Sequence, residues 1–295
     1  MQTDSHFMIG VTHDGDGMPC QDYARSLVVD GAAFAIVSDG CSTGGETDNG
    51  SRIVANAAAR ALRQHWQVVR NPFAEGTVER ISLEQRIVMG SSREMQDLVQ
   101  ADLYATSLYA YYTTAGGVIH ILGDGVVAWE DANGVLTMVR FDWLKPDVSR
   151  PPAPFYPAYY ADGYKDFTAY YNDDRVTPYL IAETWVWKPG DPVAVKTDTT
   201  SYTVPQGING PVLILPPHLR KIVVFTDGVT QVQNIEWHDA VRQLVAFKNT
   251  NGAFATRRMR RFYNDAKKLG RGALDDLSYA VILNDDPAPQ TEEEA

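Results

Sequence analysis

The chain has 295 residues, 44% of them hydrophobic and 21% charged, which is long enough to bury a substantial core and reads as a soluble globular composition. Twenty-six Lys and Arg against 37 Asp and Glu leave a formal charge of −11, which argues against a general nucleic-acid binder because a phosphate backbone would be repelled over most of the surface. No stretch approaches the roughly 20 apolar residues of a membrane helix, the opening MQTDSHFMIGV lacks the pattern of a secretory signal, and two cysteines make no disulfide framework, so the cytoplasm is the expected compartment.

In chain order, Met8–Thr12 reads as a short strand and Tyr23–Val29 as a second, with the turn-rich GDGMPCQD between them. A break at Asp30-Gly31 leads at hairpin-like spacing into AAFAIVS, a β-prone run that delivers Asp39 and Gly40 to its end. A Gly/Ser/Thr-rich turn follows. From Ser51 to Val69 the residues Ile53, Val54, Ala57, Ala58, Ala61, Leu62 and Trp66 recur at three and four, which predicts an amphipathic helix, and a second helical region covers about 78–103. Strands are expected at Ala105–Thr113, Gly117–Gly123, Val126–Glu130 and Val135–Arg140, separated by turn residues in an antiparallel meander. Lys145–Asp174 is rich in Pro and Tyr without a period and reads as a surface excursion whose aromatics fill a satellite cluster. Further strands are expected at Thr177–Trp187, Pro192–Asp198 and Lys221–Phe225, the last running into Asp227-Gly228. Helices near Asn234–Lys248 and Gly252–Leu269 precede a final strand, Ser278–Leu283, introduced by Asp275-Asp276. The acidic tail DDPAPQTEEEA (285–295) is expected to be disordered. Residues 1–284 then read as one domain. Antiparallel strands with helices in two blocks, not alternating one for one, indicate a layered α+β fold.

Four carboxylates stand at strand ends: Asp39 after AFAIVS, Asp124 after GVIHILG, Asp227 after KIVVFT and Asp275 before LSYAVIL. Asp22, ahead of the second strand, is a fifth. A lone Asp-Gly after a strand is ordinarily a turn. Several at one edge of a sandwich would repel one another unless cations offset the charge, and carboxylates with a glycine carbonyl suit a hard divalent ion.

The order of these blocks resembles the metal-dependent serine/threonine protein phosphatases of type 2C, in particular their compact bacterial branch. GVTHDGDGMPCQDYA looks like the opening block and VSDGCSTGG like the second Asp-Gly motif. ATSLYAYYTTAGGVIHILGDGVV is similar to the stretch ending in Gly-Asp, VVFTDGVTQ to the later Asp-Gly motif and DDLSYAVIL to the closing strand. The resemblance implies a four-layer α-β-β-α sandwich of two mainly antiparallel sheets flanked by helices, with two Mn²⁺ or Mg²⁺ ions, and a third weaker one, at one end. It implies that Asp39 bridges two metals, that the Gly40 carbonyl binds one and that Asp227 and Asp275 hold the other. Asp124 would help hold the third, Asp22 would act through water, and Gln21 would make a neutral amide contact where many relatives have Glu. The implied reaction is attack of a metal-bridging hydroxide on phosphoserine or phosphothreonine, with a phosphorylated protein as substrate, opposite a serine/threonine kinase.

Some positions depart from the family pattern. Cys41 stands where many relatives carry a His thought to protonate the leaving group, Gln231 replaces an acidic residue, and the Arg that grips phosphate in many relatives has no counterpart before Gln21. His13, in the THDGDG segment, is either a surface-loop histidine or a replacement that donates a proton or contacts phosphate. His120 reads as a partly buried strand residue, and Cys20 and Cys41 as reduced thiols. Two other functions stay open: a catalytically silent relative that binds phosphoproteins or another partner, and a phosphomonoesterase acting on a small metabolite.

Overall fold

The computed structural model describes residues 1–41, 48–144, 154–163, 165–170, 179–203 and 209–284. The tail from 285, parts of the Pro/Tyr excursion and the turn after Cys41 lie outside the described residues. Twelve strands among the described residues form two antiparallel sheets. β1 (Gln2–Met8), β12 (Leu277–Leu283), β11 (Lys221–Phe225), β6 (Gly125–Glu130), β7 (Leu136–Leu144), β8 (Tyr179–Trp187) and β9 (Val195–Tyr202) make a seven-stranded sheet in that order. β10 (Val212–Leu215), β5 (Gly116–Leu122), β4 (Ser107–Thr113), β3 (Ala32–Ser38) and β2 (Tyr23–Val29) make a five-stranded one. Among the described residues the α-helices are α1 (Val11–Asp16), α2 (Asn49–Val69), α3 (Thr77–Gln96), α4 (Lys165–Tyr170), α5 (Trp237–Leu244) and α6 (Phe254–Lys268).

Side-chain alternation along the strands sorts the layers. In β3, Ala33, Ala35 and Val37 pack between the sheets with Leu108, Ala110, Val127, Ile222, Val224 and Ile282. Phe34 and Ile36 point the other way, onto Ala55, Ala58 and Leu62 of α2. On the outer face of the seven-stranded sheet, Val223, Phe225, Tyr279 and Val281 meet Ala240, Val241 and Leu244 of α5 and Met259 and Phe262 of α6. The result is four layers, helices, sheet, sheet, helices. The alanines of α2 favour the helix and let it approach the sheet closely.

Several sequence expectations are corrected. The strand expected at Met8–Thr12 lies earlier, at β1, and its second half is α1; β1 pairs with β12 at the sheet edge, where a half-buried QTDSHFM needs no continuous apolar run. The four-residue β10 was not expected, being short, mostly exposed and flanked by prolines. The long second helix is α3 followed by a separate 3-10 turn, Gln100–Leu103. Four described aromatics of the Pro/Tyr excursion do not form a satellite: Phe155, Tyr156, Tyr159 and Phe167 are buried in the central core with Trp143 and Phe141, and Pro157–Asp162 and α4 are helical.

Candidate functional site

Antiparallel pairing brings the carboxylates together. The order β12-β11-β6 sets the start of β12, the end of β11 and the start of β6 side by side, and Asp275, Asp227 and Asp124 occupy those three termini. In the facing sheet, β3 pairs antiparallel with β2, so Asp39 at the end of β3 stands beside Asp22 at the start of β2. Two close backbone approaches tie the termini together. A Cβ on Gly40 would lie 2.7 Å from the Gln21 carbonyl oxygen, and one on Gly228 would lie 1.8 Å from that of Asp276, so neither position admits a side chain without movement.

The groups behind the cluster are held by hydrogen bonds. Thr226 Oγ1 donates to Asp22 Oδ2 at 2.5 Å, and the Asp39 N–H donates to Thr106 Oγ1 at 3.0 Å. Asp276, buried at 2% exposure, accepts from the Gly10 N–H at 2.7 Å and the Gln21 N–H at 2.6 Å. His13 Nδ1 lies 2.9 Å from Asp276 Oδ2, and one ligand atom each from His13, Asp275 and Asp276 fall within 4.8 Å of one another. Gln231 Nε2 donates to Asp227 Oδ2 at 2.9 Å and to Asp275 Oδ2 at 3.2 Å. An open cleft of about 640 Å³, lined by His13, Asp16, Met18, Gln231 and Asp275 among others, lies against this end.

Burial, followed by the charges of Asp227, Asp22, Asp124 and Asp275, pushes the Asp39 carboxyl well above its usual range. Asp124 is raised by burial and then by Asp227. Burial and Asp275 push Asp227 up to about 7, and Asp22 is raised chiefly by burial, against the hydrogen bond from Thr226. Each carboxyl feels at least one of the others. Among the described residues none of Asp22, Asp39, Asp124, Asp227 or Asp275 lies within ion-pair distance of a Lys or Arg. Asp124 Oδ1 is buried with no hydrogen-bond partner. An all-oxygen donor set with uncompensated charge and an orphaned carboxylate oxygen fits a hard divalent cation.

Residues 9–264 match the family model described as Protein phosphatase 2C, well over half of the chain. The chain belongs to the protein phosphatase 2C family. By that membership it is a hydrolase of the protein serine/threonine phosphatase class, in a family whose members are metal-dependent and act on phosphoproteins. Among solved structures, the phosphatase 2C chain is similar to a bacterial serine phosphatase with a TM-score of 0.52 at 11% identity, over 95% of this chain and 96% of that one. It is also similar to serine-threonine phosphatase 2C from Toxoplasma gondii, with a TM-score of 0.51 at 13% identity over 96% and 94% of the two chains. At such identities the likeness is one of fold. No curated protein matches the chain.

Of the residues singled out from sequence, the phosphatase 2C fold gathers Asp22, Asp39, Gly40, Asp124, Asp227 and Asp275 at one end, with Gln21 buried beside them. His13 sits on α1 at 9% exposure, so the surface-loop alternative does not hold. His120 is wholly buried, with Nε2 3.1 Å from the Asn209 carbonyl oxygen, and burial pushes its pKa down to about 4. Cys20 and Cys41 form no disulfide with each other. The contacts of two residues, Asp276 and Gln231, were not read from the sequence. Asp276 was visible only as the neighbour of Asp275, and the Gln231 clamp needed the folded distance.

Proposed function

We propose that the chain hydrolyses phosphoserine and phosphothreonine in protein substrates with two Mn²⁺ or Mg²⁺ ions, acting in the cytoplasm opposite a serine/threonine kinase, with residues 1–284 as the catalytic unit. The observation that carries this is the meeting of Asp39, Asp227, Asp275 and Asp124 from both sheets at one edge with no Lys or Arg of the described residues in ion-pair distance. Asp39, the Gly40 carbonyl, Asp227 and Asp275 would hold the two ions, Asp124 a third and weaker one, and Gln21 would offer a neutral contact. When bound, the ions supply Lewis acidity that readies a water for in-line attack on phosphorus. The chain's own groups orient the rest: Thr226 fixes Asp22 behind Asp39, and Asp276 fixes the Gly10 and Gln21 backbones. His13, beside Asp275 on the cleft, is placed to contact phosphate or give a proton to the leaving oxygen.

The test is hydrolysis of p-nitrophenyl phosphate and of a phosphothreonine peptide with and without Mn²⁺. Wild type should be active only with metal, and Asp39→Asn should lose at least a hundredfold. Equal inertness of both across metals would remove the proposal. The Gln231 amide favours a second reading, since it supplies neutral donors to two of the ligand carboxylates in a chain that also lacks the phosphate-gripping Arg. In that reading the chain is a silent binder of phosphoproteins, and calorimetry with Mn²⁺ and Mg²⁺ at millimolar concentration should then show no heat of binding. Activity on small phosphorylated metabolites but not on peptides would instead redirect the substrate class.

A further inference from the structure

α6 carries Arg257, Arg258, Arg260, Arg261, Lys267 and Lys268 against a single acid, Asp265, in a chain whose formal charge is −11. Ala255, Met259, Phe262 and Ala266 recur along it at three and four and are buried, which turns the cations outward. Two clefts border the helix and share Ala246 and Arg258. The larger, about 710 Å³, is also lined by Lys221, Arg242 and Arg271, and the smaller, about 90 Å³, by Lys248, Arg257 and Arg261. Together they form one basic groove. Lys221 holds Glu130 at 2.6 Å and Arg242 holds Asp239 at 2.8 Å, and Glu236 is the lining acid left outside these pairs among the described residues. Lys248, Arg257, Arg258, Arg261 and Arg271 lie within ion-pair distance of no acid among the described residues. Arg257 donates to the Asn249 and Asn251 carbonyls and Arg258 to that of Gln243, which fixes the side chains without offsetting their charge.

The end of β12 lies beside this groove. Leu283 is the register partner of Lys221, which lines the larger cleft, and the Asn284 N–H donates to the Arg220 carbonyl at 2.9 Å. The sequence that follows, DDPAPQTEEEA, holds Asp285, Asp286 and Glu292 to Glu294 and no Lys or Arg. Its eleven residues reach about 36 Å when extended, against about 22 Å for the length of α6. We propose that residues 285–295 fold back into this groove, with Glu292, Glu293 and Glu294 pairing with the cations of α6 and of the loop before it. A segment of this composition has no core of its own to fold around and binds through charge. Single exposed ion pairs are weak, but so short a tether sets an effective concentration on the order of millimolar, which an acidic segment of a separate protein would have to exceed. The chain's overall negative charge disfavours nucleic acid as the occupant. With the tail in place, this basic face is shielded from other anions.

The test is zero-length carbodiimide coupling of the full chain, which joins Lys amines to carboxylates in ion-pair contact, mapped by mass spectrometry on an equal mixture of isotopically heavy and light protein. The expected result is a link from Lys248 to one of Glu292, Glu293 or Glu294 within a single chain, beside the Lys221–Glu130 link that serves as the internal control. The tail link should fall about fivefold or more in Arg261→Glu/Arg271→Glu, and likewise in about 0.5 M NaCl, where the screening length is about 4 Å. The Arg261 and Arg271 side chains hold no ion pair among the described residues, so the fold should survive, as thermal unfolding checks. Should the reversal unfold, Arg261→Gln/Arg271→Gln and the salt series carry the same test. Absence of the Lys248 link while Lys221–Glu130 couples, or a link that survives both salt and the charge changes, would overturn the proposal. Links only between heavy and light chains would give the groove to a second copy. Loss of the link on adding a micromolar acidic peptide or short RNA would give it to a separate partner.

Discussion

Gln231 donates from one amide nitrogen to both Asp227 and Asp275, and so partly offsets in the metal-free protein what a cation would offset more fully. Replacing it with Leu leaves two crowded carboxylates without that donor. The expected cost is about 1–3 kcal/mol in chelated protein, read as a lower Tm, and the difference should shrink in millimolar Mn²⁺. Identical Tm values under chelation would show that the amide does not hold the pair. At this scale the acids were legible because each stands at one end of a strand-like run, Asp39 after AFAIVS and Asp275 before LSYAVIL. Asp276 was not, because its role depends on the Gly10 and Gln21 backbones, more than 250 positions away in the chain.

Among the elements, the turn after β11 and the lead into β12 are fitted to each other through Gly228, where a methyl group would meet the Asp276 carbonyl oxygen. Gly228→Ala should lower thermal stability and Mn²⁺ affinity together, since the movement that relieves the clash separates Asp227 from Asp275; calorimetry and thermal unfolding on one preparation check this. The described part of the Pro/Tyr excursion belongs to the core through Phe155, Tyr156, Tyr159 and Phe167. Phe155 is fully buried and meets Tyr159, Tyr160 and Phe167 edge-on, so Phe155→Ala should cost about 3–5 kcal/mol by denaturant unfolding. A cost under about 1 kcal/mol would return the segment to the surface. Strands with strong alternation or continuous apolar runs, such as β2, β3 and β11, were legible to within a residue at their ends. β1, β10 and the excursion were not, because their place is set by the partner they cover and not by their own period.

For the whole molecule the carboxyl shifts have a definite sign. A carboxyl raised in the fold above its unfolded value stabilises the native state at low pH and loses that contribution as pH climbs from the unfolded value, near 4, through the folded one. For Asp227 the folded value is about 7, raised by burial and then by Asp275, and Asp39, Asp22 and Asp124 are raised in the same direction. Metal-free protein should therefore lose on the order of a few kcal/mol between pH 5 and pH 7.5, and Mn²⁺ should suppress most of that loss, as thermal unfolding with chelator and with Mn²⁺ would read. A flat profile under chelation would mean that the acids do not face one another. The most direct test of the central claim is anomalous scattering at the manganese edge from a crystal soaked in Mn²⁺. Two strong peaks, one between Asp39 and the Gly40 carbonyl and one reached by Asp39, Asp227 and Asp275, are the predicted result; a crystal saturated with Mn²⁺ that shows no peak beside Asp39 would contradict it.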